Sequence, residues 1–192
     1  MTSLMKDIMP KIVDDFNIRV KLFNQNPDKL DCVPACIKSV IDTAEPDNII
    51  EIESVCKMMQ TSKNRLGTQL KNLKNLNRFL EKKSVHLKFY VPEKHELSPL
   101  RIPALVKEVK DTQLPVICSV NSLALADKRC NIINPHAILL SGSQDGMHKI
   151  KYYDPLLEGV QESTTPRFIK SWSDVGKGVI FVKKYLQDRL VV

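Results

Sequence analysis

The chain predicts an α+β fold, with a helical part first and an antiparallel sheet after it. Apolar residues recur at helical spacing from Val33 to Leu80, whereas short continuous or alternating apolar runs take over from Pro115. Turn formers separate those later runs, among them Asp145-Gly146 and Pro155 with Gly159. Helices followed by strands indicate a sheet packed on a helical half rather than an alternating α/β order.

Residues 1–22 read as an N-terminal extension, helical in character, ahead of one domain over 23–192. The domain divides into a helical half of about 23–112 and a sheet half of about 113–192. From Phe23 to Lys29 the chain is polar, contains Pro27 and reads as a loop. Apolar residues at 33, 36, 37, 40, 41 and 44 then mark one buried helix face. Pro34 is tolerated only in the first turn of such a helix, and Asp31 suits its N-cap. Cys32 is thereby expected at a helix N-terminus. A second helix is expected over 48–60, after the Glu45-Pro46-Asp47 breaker. A third is expected from Thr68 as N-cap, with Leu70, Leu73, Leu76, Phe79 and Leu80 as its core stripe. The alternation of Val85, Leu87, Phe89 and Val91 predicts a strand, and Pro103 opens a helix to about Lys110. Further strands are expected over 115–120, 136–140, 148–153 and 178–183.

Composition bounds the function. Apolar residues form 43% and charged residues 27% of the 192, ordinary globular values that argue against disorder. The formal net charge of +7 favours acidic partners without naming one. The densest basic group, Lys63, Arg65, Lys71, Lys74, Arg78, Lys82 and Lys83, reads as a solvated helix face. No basic stretch interleaves with aromatics, so no specific nucleic-acid partner is expected, although the charge alone motivates a nucleic-acid-binding alternative. Five cysteines cannot pair fully within one chain, and their spacing fits neither a zinc site nor a disulfide framework. No metal and no cofactor is therefore expected. Charged residues and Pro10 interrupt the apolar residues near the N-terminus, and no run approaches the ~20 residues of a membrane span. The expectation is a cytoplasmic protein with no transmembrane segment.

A helix N-terminus and a nearby imidazolium both favour a thiolate, the form of cysteine that attacks carbonyls. Cys32 has the first by position. Four histidines compete to supply the second. His86 lies on the polar face of a strand, His95 in a charged loop, and His148 after a glycine turn. His136 opens the apolar run 137–140 and would be held rigidly there. Asp154 ends the next alternating run, and His136 and Asp154 each lie about nine residues from Asp145, at the hairpin turn. Antiparallel pairing should make them neighbours, giving a base with a carboxylate that orients it. Cys36, Cys56 and Cys118 read as buried packing residues, and Cys130 as incidental.

These segments resemble the papain-like peptidases that cut double-glycine leaders from bacteriocin precursors, and their stand-alone relatives. The likeness runs through Gln25 to Val40, Leu66-Gly67-Thr68, Leu114 to Ile117, His136 to Gly142, Tyr153-Asp154-Pro155, Trp172 and Gly178-Val179-Ile180. It covers roughly residues 25–183, and no transporter or nucleotide-binding segment is read beside it. The resemblance implies a cysteine peptidase, or related acyl-transfer enzyme, acting on a peptide or protein. Cys32 would be its nucleophile, His136 its general base and Asp154 the orienting residue. Gln25, or alternatively Asn26, would supply an oxyanion-hole amide. The chain departs from the family at Val33, where a glycine usually follows the nucleophile. That departure motivates the alternative of a catalytically silent module binding a peptide or partner protein.

Overall fold

The longest strand, Pro135–Gln144, has eight consecutive buried residues, so both of its faces are covered. A strand buried on alternate residues alone would have one wet face. In the computed structural model, which describes residues 15–26, 31–61, 68–92, 102–128 and 132–185, this strand is the axis on which the candidate site is built.

In chain order the elements are β1 (Phe16–Asn17), α1 (Cys32–Ala44), α2 (Ile52–Met59), α3 (Leu73–Lys82), β2 (Leu87–Tyr90), α4 (Ile102–Thr112) and β3 (Val116–Asn121). There follow the short α5 (Ser122–Leu125), β4 (Pro135–Gln144), β5 (Lys149–Tyr153), β6 (Val160–Thr164), α6 (Thr165–Asp174) and β7 (Val179–Lys184). The strands form one seven-stranded sheet in the order β2-β7-β3-β4-β5-β6, with β1 added beside β4. Every described pairing is antiparallel. The fold is therefore α+β.

The sheet is not confined to the second half of the chain. β2 pairs with β7 from Leu87↔Lys184 to Tyr90↔Phe181, which ties the first half into the sheet edge. Of the N-terminal extension expected as helix, residues 1–14 lie outside the described residues, and Phe16–Asn17 form a strand instead. β1, β6, α5 and α6 are elements the apolar pattern left unassigned. They are short or mainly polar, and tertiary pairing rather than periodicity defines them.

α1 begins at Cys32 and buries Ala35, Cys36, Ile37, Val40 and Ile41. Each fully buried valine or isoleucine contributes roughly 1.5–3 kcal/mol. Pro34 sits in the first turn, where its missing N–H costs no helical bond. Asp31 occupies the cap position and its carbonyl accepts the Ala35 N–H at 2.8 Å, but its side chain makes no capping bond. Thr68 is not the N-cap of the third helix. Its hydroxyl pairs with that of Thr61 at 2.9 Å, and a 3-10 turn, Leu70–Asn72, precedes α3. The buried Asn72 amide reaches the Met59 carbonyl at 3.2 Å and anchors that turn to the end of α2.

β1 fits because of one glycine. A Cβ on Gly142 would lie 2.0 Å from the Phe16 carbonyl oxygen and 2.8 Å from the Asn17 Cα, both backbone atoms. The Ser141 hydroxyl donates to the Asn17 side chain at 2.7 Å and helps to seat the strand. Gly142→Ala is expected to displace β1 and destabilise the protein by on the order of 1–3 kcal/mol, the usual range for overpacking. Urea unfolding of the two proteins checks this, and an unchanged midpoint refutes the close approach.

Candidate active site

The site is assembled from three distant stretches of chain. Cys32 is the first residue of α1 and is partly exposed, so its sulfur stands at the end of a helix whose first amides lack intrahelical acceptors. His136 is the second residue of β4, paired with Val120 of β3. Asp154 follows the last residue of β5, and Pro155 ends that strand.

His136 Nε2 lies 2.7 Å from Asp154 Oδ1, and both residues are 8% exposed. Pairing between β4 and β5 reaches Leu139↔Tyr153, with an irregularity between Leu140 and Gly142. One further step sets Asp154 opposite Ile138, so His136 is its diagonal neighbour on the same face. The hairpin expected from sequence thus brings the two side chains together, and the bulge sets the offset. Asp154 Oδ1 also accepts the Leu156 N–H at 2.9 Å, and its carbonyl accepts the Leu157 N–H at 2.9 Å. These turn bonds hold the carboxylate in the direction of the ring.

Cys32 acts on the same imidazole and, like Asp154, favours its charged form. Burial works against the imidazolium, but the hydrogen bonds to Asp154 and Cys32, with the charges of both, outweigh it and raise His136 to about 9. The ring therefore carries its proton at neutral pH. An imidazolium beside a sulfur stabilises the thiolate, and the arrangement can deliver both an attacking sulfur and a proton donor.

Gln25 and Asn26 differ in placement. The Gln25 backbone N–H donates to the Pro155 carbonyl at 2.7 Å, beside Asp154, and its side-chain Oε1 is buried. Asn26 is exposed. Val33 is partly buried and packs against the core. Cys36 and Cys118 are fully buried, and burial pushes both thiols up. Cys56 is only partly buried, and Cys130 lies outside the described residues.

The other histidines are elsewhere. His86 Nδ1 lies 3.7 Å from Glu45 Oε1, and its ring meets Tyr185 edge-on. His148 follows the turn at the far end of β4, and His95 lies outside the described residues. Sequence reasoning missed Asn121. It is 3% exposed, accepts the Asn134 N–H at 3.1 Å and donates to the Ile132 carbonyl at 3.4 Å. It thereby fixes the chain that leads into His136. A polar residue closing the apolar run of β3 was its only trace in the sequence.

Among the described residues, no group of three or more His, Cys, Asp or Glu could hold a metal ion. No helix among them is long and apolar enough to cross a membrane.

No protein-family model matches the chain, and no curated protein matches it. Among solved structures it is similar to a candidate C39-like peptidase from Bacillus anthracis. The two share 15% identity and a TM-score of 0.64, with 91% of this chain and 100% of the other covered, which is a likeness of fold.

Proposed function

We propose that the chain is a papain-like cysteine peptidase, or a related acyl-transfer enzyme, acting on a peptide or protein. One observation carries this reading: a buried imidazole lies 2.7 Å from a carboxylate, and the thiol at the start of α1 acts on the charge of the same ring. The likeness to a candidate C39-like peptidase supports it at the level of fold.

In this reading the Cys32 sulfur attacks a peptide carbonyl, and the oxyanion is received by the Cys32 backbone N–H and the Gln25 side-chain amide. The backbone bond of Gln25 to Pro155 and its buried Oε1 favour it over the exposed Asn26. His136 gives its proton to the leaving amine, then takes one from the water that hydrolyses the thioester. Asp154 holds the ring's orientation and stabilises its charge. Val33 favours the second reading, a silent module that binds a peptide, because its side chain follows the sulfur directly where the family leaves a glycine.

Brief iodoacetamide treatment near neutral pH, mapped by mass spectrometry, tests the central claim. Cys32 is expected to be labelled at least about tenfold faster than Cys56, and His136→Ala should remove that advantage. Labelling of Cys32 no faster than Cys56 defeats the activated-thiol reading.

A further inference from the structure

A second concave site lies away from the sulfur. A cavity of about 530 Å³ opens between the start of α4, the β4–β5 turn and α6. That volume falls within the ~300–1,000 Å³ typical of small-molecule pockets. Its apolar wall includes Ile102, Met147, Pro166, Ile169 and Trp172. The turn residues Gly146–His148 and His136 stand at opposite ends of the ten-residue β4. At ~3.3 Å per strand residue that separates them by about 30 Å.

Three features distinguish this cavity from an ordinary surface hollow. First, among the described residues no carboxylate lines it, and its ionisable lining residues are Lys177 and His148. Lys177 holds its ammonium 6.0 Å over the Trp172 ring and has no carboxylate partner among the described residues. Second, Asp145, Gly146 and Met147 all have left-handed backbone, with φ of 54°, 60° and 71°. Such geometry is uncommon for a side chain as large as methionine and costs on the order of 1 kcal/mol. The Thr165 hydroxyl donates to the Met147 carbonyl, and the Thr165 N–H donates to the His148 carbonyl at 3.0 Å, which lock the turn to α6. Third, Ile169 keeps 42% of its surface exposed on the cavity wall.

We propose that this cavity binds an apolar monocarboxylate. The hydrocarbon lies against Met147, Pro166, Ile169 and Trp172, and the carboxylate pairs with Lys177. An aliphatic ligand without charge would fill the same wall but leave the ammonium unused, and a cationic one would meet like charge. The adaptable Met147 side chain suits a flexible tail.

Trp172 is the chain's one tryptophan and reports directly on the cavity. The full chain is titrated with decanoate, kept below its micellar concentration, and with 1-decanol, while tryptophan emission and calorimetry are followed. Saturable decanoate binding is expected, weakened about tenfold by Lys177→Gln, the worth of one charge-assisted contact. Decanol should bind both proteins alike. Ile169→Glu, a change at an exposed position, should abolish decanoate binding with far-ultraviolet dichroism unchanged. The absence of saturable binding overturns the site. Equal decanoate affinity in the parent and Lys177→Gln overturns the assignment of an anion.

Discussion

Cys32→Ala is expected to lower peptide turnover by about ten-thousandfold or more, to the level left by binding and oxyanion contacts alone. Cys36→Ala is the matched control. Cys36 lies one helical turn along α1, is fully buried, and has its thiol pushed up chiefly by burial, so it holds no attacking sulfur at neutral pH. Its loss should reduce stability by removing packing atoms and leave kcat within a few-fold of the parent. The measurement is cleavage of a diverse peptide library, read by mass spectrometry, with equal amounts of folded protein. Turnover that survives in Cys32→Ala, or vanishes equally in both variants, excludes Cys32 as nucleophile. If the parent itself cleaves nothing yet retains peptides, the silent-module reading anchored in Val33 takes precedence.

The candidate site was more legible than the frame around it. Cys32 was placed by the proline two residues on, because Pro34 fits only a first helical turn and so marks where α1 starts. His136 and Asp154 were placed by hairpin arithmetic around Asp145, which works because antiparallel pairing is local in sequence. The pairing of β2 with β7 joins residues almost a hundred positions apart, and β1 reaches β4 across more than a hundred. Neither is written in any local period. The β4 bulge was equally hidden, yet it sets Asp154 opposite Ile138 rather than Leu139, and so on the face that His136 shares. Asn121 escaped notice for a related reason. Its role lies in two backbone groups of a loop that folds back on it, and a side chain's backbone partners leave no spacing to count.

Asp154→Asn is expected to cut turnover by about a hundred- to ten-thousandfold and to move its alkaline limit downward. The two effects share one cause. In the parent, His136 is raised to about 9, from an ordinary 6.5, by the bonds and charges of Asp154 and Cys32 acting against burial. The protonated ring must reprotonate the leaving amine, so activity should persist through neutral pH and fall as pH rises through about 9. An amide at 154 carries no charge, so burial is opposed by less and the ring should lose its proton at least about one pH unit earlier. The same linkage acts on stability. A histidine raised in the folded state stabilises fully below 6.5, and that contribution disappears as pH climbs to about 9, an interval worth on the order of 3 kcal/mol. The parent should therefore lose more Tm between those limits than Asp154→Asn does. An NMR titration of the imidazole protons separates the cases. If His136 of the parent titrates at the ordinary value, the carboxylate does not hold the charge, and the geometry at 2.7 Å serves only to pack the strand.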